Sequence, residues 1–356
     1  MGYCLNLIGI RHNRLMNAGQ HQALELKCHC QAPQNSASSH YHELGSTPMR
    51  KLTLIATCLS ALLFTPAYAQ SEYQAFSEFG ANPGELTASY LSPEGPGQDA
   101  LVVLLHGCVQ DGVELANNSG LTALAQEKKF SLLVPQQSFD NNVKRCYNWF
   151  SAQDTQVDSG EMLSLKNMIA KAQSQSGAKR VYVIGLSAGG AMASAALVNY
   201  PDLFTSGAVI AGLPYPCADN LTKAISCMKK GPAESVEELV SFAKQVHPNQ
   251  QHWPALTVWT GQNDVVVNPE NAKQLSAQWV ALTQANKTPR VEQYADYSVS
   301  TWSDTSGNNL ISLVEINNMG HGIAVNPDIK NGGNTGDFLL KAPISSMSEI
   351  INLWGI

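Results

Sequence analysis

The sequence predicts an α/β fold with a mostly parallel central sheet and helices on both faces. Strand-length apolar runs recur at 100–105 (ALVVLL), 181–186 (VYVIGL), 255–260 (ALTVWT) and 311–316 (ISLVEI). Runs of this kind suit strands covered on both faces, as parallel strands are. Each run leads into a glycine-bearing turn: HGC, SAGG, GQND and NNMG. Two of the segments that follow read as helices, the small-residue run 190–196 and the NPENAKQLSAQW stretch that begins a helix near Pro269.

The N-terminus is set apart from this pattern. Met49-Arg50-Lys51 is a basic start, Leu52 to Phe64 is a thirteen-residue, mostly apolar stretch, and Pro66-Ala67-Tyr68-Ala69 ends in an A-x-A pattern. That order is expected of a secretory signal peptide, and its apolar part is too short for a membrane span. Residues 1–48 lack periodicity and hold five of the nine histidines. They are expected to be a non-native or dispensable extension from an upstream start codon. Cys28-His29-Cys30 lacks the further ligands at fixed spacing that a zinc site requires, so no metal is expected. Asn6 breaks the myristoylation pattern that Gly2 would begin. Cys58 follows Thr57 midway through the apolar run, so no lipid anchor is expected there. Residues 70–356 are left as a single domain.

Within that domain, Pro83 to Gly97 reads as a hairpin-like opening segment. The strand 100–105 runs into His106-Gly107-Cys108. The strand 181–186 runs through Gly185-Leu186-Ser187-Ala188-Gly189, a G-x-S-x-G pattern. A serine held on a sharp strand-to-helix turn needs neighbours that are nearly free of side chains, so that its Oγ can face a cleft over a helix N-terminus. Ser187 is therefore the candidate nucleophile. The alternative is a glycine-rich loop whose serine only caps a helix.

A nucleophile needs a base and an orienting acid. Asp264 follows the strand 255–260, where open α/β sheets place their sites. His321 follows the strand 311–316, between Gly320 and Gly322. The chain order Ser187, Asp264, His321 is the order of the α/β-hydrolase fold. Asp296 and Asp304 are the reserve acids, in a segment that reads as a strand and its turn. His247 and His252 flank a Pro/Gln-rich connection and suit the base poorly. The N–H groups of Cys108 and Ala188 are the candidate oxyanion donors. His106, just before the Gly107 turn, reads as structural.

The segments LVVLLHGCVQDG (101–112), RCYNWF (145–150), VYVIGLSAGGAM (181–192), AGLPYPCA (211–218), VWTGQNDVVVNPENAKQLSAQW (258–279) and NMGHGIAV (318–325) resemble the poly(3-hydroxybutyrate) depolymerase family of esterases. That family also contains feruloyl and acetylxylan esterases. The resemblance runs from about Phe79 to the C-terminus and puts the family's nucleophile, acid and base on Ser187, Asp264 and His321. It implies a secreted serine esterase acting on an ester substrate through an acyl-enzyme, of hydroxyalkanoate polyester or oligomer type, without a cofactor. Feruloyl or acetylxylan ester hydrolysis and acyl transfer on the same fold are the alternatives. Tyr147 stands where the family more often has Trp. Many polymer-degrading members add a linker and a substrate-binding domain. Neither follows the catalytic region here, so weak action on solid polymer is expected.

Tyr147, Trp149 and Trp302 are candidates for lining the acyl pocket, with core packing as the alternative for each. Cys108, Cys146, Cys217 and Cys227 are the cysteines of the exported part, and four cysteines allow three pairings. The favoured pairs are Cys108–Cys146, fastening RCYNWF beside the oxyanion turn, and Cys217–Cys227, closing a short loop. Four free buried thiols are the alternative. The full chain carries 22 Lys+Arg and 28 Asp+Glu; residues 1–69 hold five and two of them, which leaves 17 against 26. That acidic balance argues against nucleic acid or anionic membrane as partners. A monomer is expected.

Overall fold

Successive side chains of a strand point to opposite faces, and the apolar runs use both. In the computed structural model, which describes residues 72–95, 97 and 99–356, Leu101, Val103 and Leu105 enter one core while Ala100, Val102 and Leu104 enter another. Val181 and Val183 join the first core, and Tyr182, Ile184 and Leu186 the second. The expected N-terminal extension (1–48) and signal peptide (49–69) lie outside the described residues.

The strands are β1 (Gln74–Ala75), β2 (Thr87–Leu91), β3 (Ala100–Leu105), β4 (Ser131–Gln136), β5 (Arg180–Leu186), β6 (Ser206–Ile210), β7 (Ala255–Gly261), β8 (Arg290–Gln293), β9 (Tyr297–Ser303), β10 (Asn309–Ile316), β11 (Ile323–Val325) and β12 (Leu339–Lys341). The first ten form one sheet in the order β1-β2-β4-β3-β5-β6-β7-β10-β9-β8. From β4 to β10 every neighbouring pair is parallel. The pairs at both edges are antiparallel. β11 and β12 form a small parallel pair of their own. The segment 83–97 is not a hairpin. Its strand β2 pairs with β1 and with β4, more than forty residues on. Its partner is chosen by burial of Ala88 and Tyr90 in the first core, which local turn chemistry does not encode.

The helices are α1 (Gly112–Asn118), α2 (Leu121–Lys128), α3 (Ala152–Thr155), α4 (Gly160–Ser176), α5 (Ala188–Asn199), α6 (Leu221–Lys230), α7 (Val236–Val246), α8 (Glu270–Thr283) and α9 (Ser346–Trp354). Helices α1, α2 and α9 cover the second core, through residues such as Leu115, Leu121 and Ile350. Helices α4, α5 and α8 cover the first, through Met168, Met192 and Trp279. This is the α/β-hydrolase architecture, with a large, mostly parallel sheet and helices on both faces. Every residue of α5 is buried. Its small side chains let the helix lie close against β5 and β6.

Parallel strands bring their carboxyl ends to one edge, and the loops there must pass close together. Gly261 closes β7 at such a crossing: a Cβ on it would run into the carbonyl oxygens of Met319 and Gly320. A polar layer lies behind the same edge. Glu161, at the start of α4, is fully buried. Its Oε1 accepts from Gln137 Nε2 at 2.5 Å and from Asn141 Nδ2 at 3.2 Å, and its Oε2 accepts from Asn148 N–H at 2.9 Å. Those bonds tie the 137–148 segment to α4. Burial pushes the Glu161 carboxyl from 4.5 up to about 8, against the opposing pull of the donors.

Gly261→Ala should cost about 1–3 kcal/mol of stability, as inserted methyl groups do in packed sites; urea unfolding measures it. Two buried groups should also pull stability in opposite directions with pH. The Glu161 contribution is complete below about pH 4.5 and is lost as pH rises through about 8. That of buried His106 is complete above about 6.5 and is lost as pH falls through about 4. Melting temperature should therefore fall as pH rises from about 6.5 to about 8, where the His106 contribution is already complete, and Glu161→Gln should flatten that fall. A fall unchanged in the variant would assign it to another group.

Candidate active site

The turn from β5 into α5 holds Ser187 at φ 56° and ψ −116°. Such a conformation costs a non-glycine residue of order 1–3 kcal/mol, and the surroundings must enforce it. Ser187 N–H donates to Ile210 O at 2.9 Å, which ties the turn to the end of β6. A Cβ on Gly189 would collide with the carbonyl groups of Leu105 and His106. The glycine thus lets the helix start press against the end of β3. Gly185 meets the Gly189 carbonyl in the same way. The G-x-S-x-G pattern is here a set of close backbone contacts.

Asp264 and His321 arrive from the ends of β7 and β10. Asp264 Oδ2 lies 2.7 Å from His321 Nδ1, and His321 Nε2 lies 2.9 Å from Ser187 Oγ. The Asp264 side chain is completely shielded from solvent and that of His321 is 8 % exposed. Asp264 Oδ1 accepts from Val266 N–H at 2.8 Å and Val267 N–H at 2.9 Å. Each contact of the carboxyl is with a donor, so it holds Nδ1–H and leaves Nε2 free to accept from the serine hydroxyl. The rings of Phe338 and His321 are nearly perpendicular, with centroids 6.1 Å apart. The arrangement can remove a proton from Oγ and stabilise the cation that results.

The reserve acids do not join this chain of bonds. Asp304 folds the turn between β9 and β10, where its Oδ1 accepts from Ser306 and Asn308 N–H. Asp296 precedes β9, and its carbonyl accepts from Asn317 N–H. His247 Nε2 is bonded to Asn199 O, at the far end of α5 from Ser187.

The turn after β3 stands beside the serine. A Cβ on Gly107 would lie 3.5 Å from Ser187 Cβ. Gly107 N–H donates to Gln110 Oε1 at 2.7 Å. Among the described residues, Cys108 N–H meets no protein acceptor, whereas the next donor, Val109 N–H, reaches Lys144 O at 2.7 Å. The N–H of Ala188 is the first of α5, and the opening N–H groups of a helix have no intrahelical partner. Disulfides join Cys108 to Cys146 and Cys217 to Cys227.

Of the aromatic candidates, Tyr147 and Trp149 take the core-packing alternative and Trp302 lies away from Ser187. Tyr147 is fully buried; its hydroxyl donates to Pro135 O at 2.8 Å and its ring lies 4.9 Å from that of His106. It packs behind the turn at Gly107 and takes the core-packing alternative. Trp149 is buried in the first core against Phe150. Trp302 is in β9 opposite Ile311, near the start of β10. His321 lies beyond the other end of that strand, roughly 16 Å or more away at about 3.3 Å per residue. Trp302 is thus removed from the site by the antiparallel course of β9. Phe338, which the sequence reading missed, does reach it. Its segment, NTGDFLL, has no strong periodicity, and nothing local marks it.

A cavity of about 280 Å³ adjoins the site, lined by Val109, Gln110, Asp337 and Phe338 among others. A larger cavity of about 520 Å³ is lined by Ser206, Ala255 and Asn309, at the amino ends of β6, β7 and β10. It is on the wrong edge of the sheet to serve Ser187. Among the described residues no group of three or more His, Cys, Asp or Glu is placed to hold a metal ion. Among them, too, no helix is long and apolar enough to cross a membrane.

Known proteins match this fold and sequence. The profile of the family described as Esterase PHB depolymerase matches residues 87–289. A poly(3-hydroxyalkanoate) depolymerase C from Paucimonas lemoignei is 33 % identical over 87 % of this chain and 76 % of its own length. An acetylxylan esterase A from Aspergillus ficuum is 26 % identical over 71 % of this chain and 89 % of its own. The solved acetyl xylan esterase from Aspergillus awamori shares the fold, with a TM-score of 0.63 at 20 % identity, over 70 % of this chain and 94 % of that one. With a profile match over more than half of its length and a relative at one-third identity, the chain belongs to the PHB depolymerase family of esterases and is a carboxylic ester hydrolase.

Proposed function

We propose that the protein is a secreted serine esterase of hydroxyalkanoate polyesters or their oligomers. The observation that carries the mechanism is the unbroken chain of hydrogen bonds from Asp264 through His321 to Ser187. His321 Nε2 takes the proton as Oγ attacks the ester carbonyl. Asp264 keeps Nδ1–H in place and stabilises the imidazolium. The N–H groups of Cys108 and Ala188 receive the oxyanion. The alcohol leaves with the proton from His321, and water repeats the sequence on the acyl-enzyme. Preorganised N–H donors of this kind contribute about 3–4 kcal/mol each.

The substrate class rests on the depolymerase relative. It is supported by exposed apolar side chains in the loops that leave the carboxyl ends of β3, β4 and β7: Val109, Phe139, Val143 and Val265. A polyester presents mostly apolar surface between its ester groups, and such side chains suit it. The acetylxylan esterase relative favours acetylated polysaccharide as a second reading. Export is the third part of the proposal. Residues 49–69 act as a signal peptide, residues 1–48 are dispensable, and 70–356 remain as the catalytic domain. The two disulfides suit an oxidising compartment.

Ser187→Ala should lower ester turnover by several orders of magnitude, roughly 10⁴-fold or more, while leaving the fold intact; circular dichroism and p-nitrophenyl ester assays check both halves. Substantial residual turnover would remove Ser187 from its role. Hydroxybutyrate oligomers should be cleaved faster than acetylated xylan or methyl ferulate in one side-by-side assay. Preference for acetylated xylan would replace the polyester reading with the second one.

A further inference from the structure

His106 is buried, lies outside the Ser187–His321–Asp264 chain, and has both ring nitrogens engaged. Gln137 N–H points at His106 Nε2 from 3.1 Å. A backbone N–H can only donate, so Nε2 is an acceptor. The proton of the neutral ring is therefore on Nδ1. Nδ1 lies 2.6 Å from Gly107 O, so Nδ1–H donates to that carbonyl. Burial keeps the ring neutral by lowering its pKa to about 4. The ring is held in turn by Tyr147, 4.9 Å away, and by Gln136 Nε2 at 3.0 Å from Nε2.

The carbonyl of Gly107 and the N–H of Cys108 belong to one planar trans peptide, in which they point in opposite directions. Fixing the oxygen on one side aims the hydrogen on the other. We infer that His106 is a positioning residue for the reaction: through the Gly107 carbonyl it sets the plane of the Gly107–Cys108 peptide and so directs the Cys108 N–H at the oxyanion. Gln110 fixes the preceding peptide from the other side of Gly107, through Gly107 N–H at 2.7 Å. The inference rests on the reading in which Cys108 N–H receives the oxyanion. It adds why this N–H is aimed before substrate arrives.

Two substitutions separate the two ring nitrogens. His106→Asn keeps an amide donor where Nδ1 stands and abandons Nε2. His106→Gln puts its amide near the Nε2 position and abandons the Nδ1 donor. Aiming a transition-state donor affects kcat and spares ground-state binding. H106Q should therefore lose about 10²-fold in kcat with KM within about twofold, while H106N stays within about tenfold of the parent kcat. The direct readout is the amide proton of Cys108 in ¹⁵N-cysteine-labelled protein treated with a trifluoromethyl ketone. The Ser187 oxygen bonds to the ketone carbon, the serine proton passes to His321, and the former carbonyl oxygen becomes an anion.

The Cys108 amide proton should move strongly downfield in the parent protein and in H106N, and much less in H106Q. His106→Phe, which keeps a ring against Tyr147 and removes the polar atoms, replaces H106Q if that variant does not fold; the same losses are expected of it. Equal kcat in H106N and its comparison variant, or an equal Cys108 shift in both, overturns the role of His106. A parent Cys108 amide that does not respond to the ketone overturns the underlying oxyanion reading, and this inference with it.

Discussion

Ser187 is held at φ 56° and ψ −116°, a combination outside the regions that a residue with a β-carbon adopts freely, and the architecture around it is the enforcement. The conformation points Oγ away from both β5 and α5. To hold it, the end of β5 is bonded to β6 through Ser187 N–H and Ile210 O. The start of α5 is pressed against the end of β3, at a distance only Gly189 permits. Cores close-packed on both faces of the sheet resist the relaxation that would release the strain. The small residues of α5 follow from this. A helix with large side chains on its inner face would stand off the sheet, and the serine turn would open.

The same edge has a second requirement. Loops that leave buried strands carry polar backbone groups into a poorly hydrated region, and each needs a partner. Gln136, Gln137, Asn141 and Glu161 supply those partners behind the turn at Gly107. Gln136 Oε1 accepts from Gly112 N–H at 2.7 Å, and Gln137 Nε2 donates to Glu161. The Cys108–Cys146 disulfide and the hydroxyl of Tyr147 fasten the same segment to β3 and β4. The turn is consequently held by covalent, polar and packing contacts at once. Tyr147 and Trp149 are better understood as parts of this support than as substrate contacts, because both are buried in it.

Much of the candidate site was legible in the sequence because each part of it is a local device on a recognisable strand. Both-face burial writes a mostly apolar run at 100–105, 181–186, 255–260 and 311–316, and the structure has strands at all four. A serine elbow needs glycines at fixed offsets, so Ser187 was marked by its neighbours. Asp264 and His321 were marked by their place after strand ends in a parallel sheet. The order of the three along the chain carried the α/β-hydrolase fold. The turn that carries Asp304 was legible too, since it joins β9 to β10 by local chemistry.

Tertiary structure decided what depends on which distant segments meet. Trp302 looked like a pocket residue by type, but the antiparallel course of β9 carries it to the opposite end of β10. Phe338 lies in an unremarked segment and reaches His321 only because β12 pairs with β11. The segment around β2 has hairpin-like turn residues, yet it pairs with β4 because burial against the core outweighs local turn preference. Glu161 is enclosed by Gln137, Asn141 and Asn148, which only the fold brings to it. By itself the sequence determined the strand pattern, the serine turn and the order of Ser187, Asp264 and His321, because each is marked by residues beside it in the chain. Which aromatic faces the site, and which polar residues brace it, follow from contacts across tens to hundreds of residues, whose free energy exists only once the sheet has formed.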